Sequence, residues 1–297
     1  MKLYPSYYDN FACKASHCRH SCCLGWEICL DEETYRKYLG YGKGYSEYIE
    51  RIDGGGRIIA NSEDGRCPFL LKNGLCKIIC DRGECDISEI CREHPRFYNE
   101  IGGDIECGLG VVCEAAADLI INCRDANPYY DCISESGAFY AQRRRIIEVM
   151  LDSSLTLDES IGAVKNKYPS LKGTGNIFDW AEFLSSLEAL EDDWHGDLLS
   201  IADKTQKFES GEFDIYFKRI AAYLLYRHTA DADGEKGFTA RVGFALLGVE
   251  IIRALFEKSD SRNVEKLLDI ARRYSSEIEY SEENTDAVIF EFELSML

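Results

Sequence analysis

The distribution of cysteine constrains this chain more than any other feature. All 14 cysteines lie between Cys13 and Cys132, and none follows in the rest of the 297 residues. The opening MKLYPSYYDNFACKASHC has no apolar segment of the signal-peptide type, so we expect a cytoplasmic protein with reduced thiols. Clustered cysteines in a reducing compartment more often bind metal than form disulfides. The pattern therefore predicts a metal centre among the N-terminal cysteines.

The candidate ligands fall into two groups. The first is the run Cys13, Cys18, Cys22 and Cys23. Thiolates this close repel one another, and they cannot all form unstrained disulfides, whereas a bound metal deprotonates and neutralises them. The second group follows at wider spacing: Cys67, Cys76, Cys91 and Cys113. The spacing is neither the paired CxxC of a zinc ribbon nor the CxxxCxxC of radical enzymes, so it leaves zinc and iron–sulfur both open.

Other cysteines and histidines have simpler interpretations. Burial as small hydrophobes is the interpretation for Cys29, Cys80, Cys85, Cys107, Cys123 and Cys132. His17 and His20 lie within the first cysteine run, where either is an alternative to a thiolate ligand. His195 and His228 are interpreted as residues on helix surfaces.

Charge and hydropathy restrict the partners. Lysine and arginine total 34 against 53 acidic residues, which gives a formal net charge of -19. A chain this acidic repels nucleic acid and anionic lipid, so we expect neither as a partner. No stretch approaches the roughly 20 apolar residues that span a bilayer, so we expect no membrane segment.

The composition changes near residue 130. We predict a mainly α fold with two domains, a cysteine-rich metal or iron–sulfur domain over residues 1–130 and a helical domain over 131–297. The first domain should be a small α+β region with a β-hairpin, because Asn73-Gly74 separates two apolar runs that carry Cys67 and Cys76. Short helices are predicted over 31–39 and 113–123.

The second domain shows apolar residues at helical spacing throughout. This periodicity predicts helices over 141–152, 179–194, 213–228, 239–256 and 263–280. Four separators between them, KGTGN, SGE, DADGEKG and KSDSRN, are rich in glycine and polar residues, which is typical of turns. We therefore expect a bundle-like arrangement of helices.

Several stretches resemble one known family, the flagellin lysine-N-methylases, which share a cysteine-rich zinc- or iron-chelating domain. The resemblance rests on YYDNFACKASHCRHSCCLGWEICLDEETYRKY, RCPFLLKNGLCKI, CREHPRF and CEAAADLII. FDIYFKRIAAYLLYR, ARVGFALLGVEIIRAL and the closing RYSSEIEYSEEN look like the helical segments of the family. The chain departs from the family pattern at two places: Cys113-Glu114 lacks an intervening proline, and Tyr280 stands where a histidine is expected.

The resemblance implies a cofactor, a donor and an acceptor. These are a [4Fe-4S] cluster, S-adenosylmethionine, and the lysine ε-amines of flagellin or another lysine-bearing protein. The eight cysteines of the two groups match the family pattern, although a cubane cluster takes four ligands.

Methyl transfer to lysine requires a neutral amine, yet a free lysine amine has a pKa near 10.4. Glu279 and Tyr280 are the candidates for removing the proton, and the alternative is a solvated helix face and a packing aromatic. Arg92 and Arg96 in CREHPRF are candidates for binding a cofactor carboxylate or the cluster sulfurs, and the alternative is a salt bridge at a helix end.

Two other functions fit the same cysteines. One is a non-enzymatic protein in which zinc or iron staples a platform for a partner. The other is a redox or metallochaperone role in which Cys22 and Cys23 exchange thiols. Neither of them needs the closing RYSSEIEYSEEN segment.

Overall fold

The computed structural model of the chain describes residues 1–25, 28–52, 56–62, 65–201 and 211–296. Its contacts divide the chain into two compact units. The helical unit comprises Met1–Phe11, Tyr98–Val112 and Ala116–Leu297, and the cysteine unit comprises Ala12–Phe97 and Cys113–Ala115. The division of the chain into two domains near residue 130 stays a prediction.

Six short strands form two small sheets in the described residues. The strands are β1 (Lys2–Leu3), β2 (Ile28–Cys29), β3 (Ile49–Arg51), β4 (Arg57–Ile59), β5 (Arg96–Ile101) and β6 (Asp104–Leu109). One sheet has the order β1-β6-β5, with β1 parallel to β6, and the other has the order β2-β4-β3 with antiparallel pairs.

Helices make up most of the remaining structure. The α-helices are α1 (Glu32–Gly40), α2 (Lys43–Ser46), α3 (Lys77–Arg82), α4 (Glu89–Glu93), α5 (Glu114–Ile121), α6 (Tyr140–Leu151), α7 (Leu157–Lys167), α8 (Ile177–Leu184), α9 (Trp194–Ile201), α10 (Asp214–His228), α11 (Gly234–Lys258), α12 (Val264–Tyr274) and α13 (Glu282–Ser295). A five-residue π-helix, Ser275–Glu279, joins α12 to the turn before α13. The predicted fold class, mainly α with small β elements, is confirmed.

The cysteine unit has a small aromatic core. Phe69 lies at its centre, with its ring centroid 5.9 Å from that of Tyr38, 5.8 Å from that of Tyr45 and 5.5 Å from that of Tyr48. Three buried isoleucines complete the cluster, namely Ile28, Ile59 and Ile78. The predicted first helix is confirmed as α1, whose N-cap Asp31 accepts a hydrogen bond from the Thr34 backbone N–H at 2.8 Å.

The predicted hairpin at Asn73-Gly74 is wrong in its strands. A tight turn forms there, but the flanking residues make the single bridge Leu70–Cys76, and α3 begins at the next residue. Consecutive strands of the described residues pair instead as β3–β4, which is antiparallel, and as β5–β6. The β5–β6 turn residues Gly102 and Gly103 have φ of 55° and 94°, the combination that a two-residue hairpin loop requires.

The helical unit is organised around α10 and α11. Buried side chains occur on every face of α10, including Phe217, Ile220, Tyr223, Leu224 and Tyr226. A helix with buried side chains on every face lies in the centre of a domain, and α11 is buried in the same way. None of the described helices is both long and apolar enough to cross a membrane.

One predicted helix of this unit is interrupted. Residues 179–194 do not form a single helix, because α8 ends at Leu184 and α9 begins at Trp194. The buried carboxylate of Glu277 accepts hydrogen bonds from the backbone N–H groups of Leu190 (2.7 Å) and Glu191 (2.9 Å). These amides are therefore engaged by a side chain instead of by a helix, which accounts for the break.

Candidate functional site

Six of the eight predicted metal ligands interact with one another in the cysteine unit. We call them the thiol cluster: Cys22, Cys23, Cys67, Cys76, Cys91 and Cys113. Cys67 and Cys76 pack against the aromatic core on either side of the turn at Gly74. The Cys67 backbone N–H donates to the Cys23 carbonyl at 2.9 Å, which joins the N-terminal run to the second group.

Cys23 is the electrostatic centre of the thiol cluster. The Cys22 thiol donates a hydrogen bond to Cys23, and this lowers the pKa of Cys23 to about 6. Burial raises the pKa of Cys67 to about 12 and that of Cys91 to about 11, and the charge of Cys23 adds to both shifts. Negative charges on these thiolates repel one another, and a bound cation would offset this repulsion.

Cys13 and Cys18 have a different immediate environment. The Cys18 thiol lies 3.3 Å from the His20 carbonyl and 3.9 Å from Glu114 Oε2, and burial raises its pKa. Cys13 is exposed, and its sulfur accepts a hydrogen bond from the Ala15 N–H at 3.3 Å. That these two cysteines share a single metal with Cys22 stays a prediction.

The thiol cluster fits an iron–sulfur cluster or zinc in the chemistry of its donors, since both metals take thiolate-only ligand sets. In the described part of the chain, no group of three or more cysteine, histidine, aspartate or glutamate side chains converges closely enough to hold a metal ion. The donors are therefore gathered in one region without being aligned as ligands. The alternative ligand His20 lies with its Nδ1 3.4 Å from Glu114 Oε2.

The CREHPRF stretch begins at Cys91 of the thiol cluster and continues into β5. Arg92 is exposed and lies 3.8 Å from the carboxylate of Glu93, a helix-end pair of the kind considered as the alternative. Arg96 Nη1 donates to the Arg92 carbonyl at 3.3 Å. Burial lowers the pKa of His94 between them to about 4, so that imidazole is neutral near pH 7. Cofactor binding by either arginine stays a prediction.

Glu279 lies in a buried polar site of the helical unit, which we call the Glu279 site: Tyr223, Arg227, His228, Glu279 and Tyr280. The Glu279 carboxylate accepts hydrogen bonds from Tyr223 (3.0 Å) and His228 Nε2 (2.8 Å). Arg227 Nη1 lies 3.5 Å from the same oxygen. The alternative of a solvated helix face for Glu279 is therefore wrong, because the side chain is only 1% exposed.

Electrostatics in the Glu279 site keep the carboxylate ionised. Burial alone would raise the pKa of Glu279, but the charge of Arg227 and the hydrogen bond with His228 outweigh it and lower the pKa. Burial lowers the pKa of His228. An ionised carboxylate with three donors is a poor proton acceptor but a firm anchor for Arg227 and Tyr223.

Tyr280 is the more accessible member of the Glu279 site. It is only partly buried, and the Arg227 guanidinium lies 4.4 Å from the centre of its ring. Its hydroxyl lies against the backbone of Gly110, where an added Cβ would come within 1.9 Å of the oxygen. The glycine therefore permits this close approach, and a catalytic role for Tyr280, like its alternative as a packing aromatic, stays a prediction.

Sequence reasoning missed several members of this site. His228 was expected on a helix surface, and that prediction is wrong, since the residue is 7% exposed. Tyr223 and Arg227 were not singled out. The sequence feature that could have identified them is a polar pair at i and i+4 in the mostly apolar second half of α10. Asn284, at the end of the closing segment, has a structural role, because it donates to the Glu277 carbonyl at 2.7 Å.

The cysteines outside the thiol cluster are of two kinds. Cys107, Cys123 and Cys132 are buried, as predicted. Cys29, Cys80 and Cys85 are exposed, so burial was the wrong interpretation for these three. Cys29 lies at the end of the short strand β2, Cys80 lies in the short helix α3, and Cys85 lies in a single 3-10 turn. Elements this short leave the three side chains exposed.

Fold and site together define a mainly helical protein with a cysteine-rich unit. The chain is 28% identical over 131 residues to the lysine-N-methylases of Salmonella choleraesuis (strain SC-B67) and Salmonella typhimurium (strain LT2). The same identity and length relate it to the flagellar biosynthetic protein FliU of Salmonella muenchen. The chain is thus similar to proteins named lysine-N-methylase, and the predicted resemblance to them is confirmed; the predicted sharing of their cysteine-rich domain stays a prediction.

The similarity is partial. It covers 41% of the chain, 33% of each of the two lysine-N-methylases and 78% of FliU. The chain therefore matches about a third of the length of those two enzymes. No protein-family model matches the chain, and no solved structure matches it.

Proposed function

We propose that the protein is an S-adenosylmethionine-dependent protein-lysine N-methyltransferase that uses an iron–sulfur cluster. Its acceptor would be flagellin or another lysine-bearing protein. The observation that carries the proposal is the relationship to proteins named lysine-N-methylase over 131 residues. The name of FliU, a flagellar biosynthetic protein, supports flagellin as the first acceptor to test.

The thiol cluster would hold the iron–sulfur cluster. Cys23, Cys67, Cys76 and Cys91 are the ligand set we favour, because Cys23 interacts with each of the other three. Cys22 and Cys113 lie beside this set. When bound, the cluster would supply iron as a binding site for the methyl donor, and Arg92 and Arg96 are the candidates for binding the carboxylate of that donor.

Proton removal from the lysine amine is assigned to the Glu279 site. Tyr280 is partly buried and can act as an acid or base, so it is the candidate catalytic residue. Glu279 is a positioning residue, because it anchors Tyr223 and Arg227, and Arg227 lies over the ring of Tyr280. General acid–base groups typically contribute about a hundredfold or more to a rate, so Tyr280→Phe should lower methyl transfer by that factor.

The proposed activity is tested with protein purified without oxygen. It is incubated with methyl-labelled S-adenosylmethionine and purified flagellin, and methylated lysines are located by mass spectrometry. We expect label on flagellin lysines with the wild type and with Cys29→Ser, because Cys29 is an exposed cysteine outside the thiol cluster. We expect no label with Cys23→Ser. A protein that carries iron and sulfide but transfers no methyl group to any lysine-bearing acceptor would contradict the proposal.

A control separates Tyr280 from a general effect of losing a tyrosine hydroxyl. Tyr130 is exposed, so Tyr130→Phe should transfer methyl groups at the wild-type rate. Equal rates for Tyr280→Phe and Tyr130→Phe would remove Tyr280 from the mechanism and leave the activity itself standing.

A further inference from the structure

The carboxylate of Glu114 contacts several residues of the N-terminal cysteine run, which extends from Cys13 to Cys23. Glu114 begins α5 with its side chain 7% exposed, and Oε1 lies 3.0 Å from Lys14 Nζ. Oε2 accepts a hydrogen bond from the Arg19 backbone N–H at 2.9 Å and lies 3.4 Å from His20 Nδ1. The Cys18 sulfur lies 3.9 Å from Oε2. One side chain thus contacts both ends of a segment about a hundred residues earlier in the chain.

The segment that Glu114 contacts includes one residue with a strained backbone conformation. Ala15 has φ of +47°, and it is the one non-glycine residue with a positive φ in the described chain. Such a conformation persists only where the surroundings impose it. Lys14, the residue before it, is held by Glu114, and Ser16, the residue after it, lies against Gly74 at a distance that leaves little room for a Cβ there.

Glu114 is suited to positioning rather than to binding metal itself. Lys14 Nζ lies 3.0 Å from one carboxylate oxygen, and the Arg19 backbone N–H (2.9 Å) and Arg19 Nε (3.7 Å) lie near the other. Both oxygens are already engaged by cationic or N–H groups. A carboxylate in this state holds its partners in place without being free to ligate.

We propose that Glu114 is the positioning residue that sets the place of Cys18 relative to the thiol cluster. The inference rests on the proposed metal centre only for its consequence in cluster retention, and the position of Cys18 is tested without metal. Lys14 and the Arg19 N–H are the groups through which Glu114 acts. Glu114 also follows Cys113 directly in the chain, and Cys113 lies beside the favoured ligand set, so retention of the iron–sulfur cluster would depend on a residue that is not one of its ligands.

The first test measures thiol reactivity in the reduced, metal-free full chain. A limiting alkylating reagent is added, and modified peptides are quantified over time. Glu114→Gln should raise the modification rate of Cys18 by about tenfold, because a charge-assisted hydrogen bond and an ion pair are lost. Cys85, which is exposed, should react at the same rate in both proteins. An unchanged Cys18 rate in Glu114→Gln would overturn the proposal.

Two further variants keep the test independent of folding. Lys14→Met removes the ion pair at a side chain that is 35% exposed and leaves the carboxylate in place, so we expect a smaller rise at Cys18. Glu106→Gln is the matched control, because Glu106 is a buried, paired carboxylate of the helical unit. A rise at Cys18 in Glu106→Gln as large as in Glu114→Gln would show a general loss of stability and would overturn the proposal.

The second test concerns retention of metal. Protein reconstituted with iron and sulfide is mixed with a chelator, and loss of iron is followed by absorbance. Glu114→Gln should lose iron about tenfold faster than the wild type, and an equal rate would overturn the link to the cluster. If the wild type takes up no iron, the proposed function fails, while the alkylation result still decides the role of Glu114.

Discussion

The two units of the chain are stabilised in different ways. The helical unit has an extensive core along α10 and α11 and a fully buried ion pair, Arg143–Glu106, with side chains 1% and 0% exposed. The cysteine unit has a core of six buried residues around Phe69, short strands, and thiols that are partly or fully exposed. Small cores rarely stabilise a fold alone, and proteins of this kind add disulfides or metal. From this comparison we expect packing to stabilise the helical unit and a bound metal to stabilise the cysteine unit.

Removal of metal should have the largest effect and should separate the two units. Treating the purified protein with a chelator should accelerate amide exchange in β3 and β4 by about a hundredfold or more, because binding energy at a structural thiolate site is folding energy. Exchange in α10 and α11 should change by less than about twofold. Hydrogen–deuterium exchange with mass spectrometry measures both in one sample. Equal acceleration in the two units would contradict the comparison.

Breaking the buried Arg143–Glu106 ion pair should lower the stability of the helical unit without any involvement of metal. Arg143 binds Glu106 through two hydrogen bonds of 2.7 and 2.6 Å. Glu106→Gln leaves a buried guanidinium without its counter-ion, and we expect a loss of about 3–5 kcal/mol in the free energy of unfolding. Urea unfolding followed by circular dichroism measures this loss. Exposed Glu135→Gln serves as the control, with a change below about 0.5 kcal/mol.

A methyl group at Gly110 should distinguish structure from activity within the helical unit. The added Cβ would lie 1.9 Å from the Tyr280 hydroxyl, so the ring must move. Gly110→Ala should cost about 1–3 kcal/mol of stability, as overpacking does, and should lower methyl transfer as far as Tyr280→Phe. Thermal unfolding and the methyl-transfer assay are measured on the same preparations. Full activity in a folded Gly110→Ala protein would show that the position of Tyr280 does not matter.

Acid should weaken the Glu279 site in a defined range. Burial lowers the pKa of His228 below its unfolded value near 6.5, so the unfolded chain binds this proton more readily. Stability from the neutral imidazole is therefore complete above about pH 6.5 and declines as the pH falls below it. The lowered pKa of Glu279 adds a second loss at lower pH, beginning near the unfolded carboxyl value of about 4.3.

Two variants test that assignment. Replacing His228 with glutamine should reduce the dependence of unfolding free energy on pH between about 6.5 and 5, because one of the two histidines whose pKa burial lowers is gone, while His94 contributes the remainder. His195→Gln removes a histidine outside the Glu279 site and should keep the wild-type slope. If both variants keep that slope, another group is responsible for it.

Local periodicity predicted α6, α10, α11 and α12 but neither α7 nor α13, and it predicted the polar sites poorly. The pattern over 239–256 predicted α11, and that over 113–123 predicted α5, because both stripes are apolar at helical spacing. The break between α8 and α9 depends on Glu277, almost ninety residues away, which no local pattern contains. The β5–β6 pairing was missed because Asn73-Gly74 was preferred over Gly102-Gly103, although both are turn dipeptides.

The candidate sites divide in the same way. The cysteine count identified the thiol cluster, since thiols are rare and their clustering is visible in the sequence. Cys23 is the electrostatic centre of the thiol cluster because of its contacts with the Cys67 N–H and the Cys22 thiol. Only the folded chain brings Cys67 to Cys23. His228 was misplaced for a related reason: its partner Glu279 lies on a different helical segment.

The central claim is that the thiol cluster holds an iron–sulfur cluster, and metal analysis of protein purified without oxygen tests it most directly. We predict about four iron and four sulfide per chain and a brown absorption band, all lost in Cys23→Ser and retained in Cys29→Ser. Colourless protein with stoichiometric zinc and no sulfide would contradict the claim.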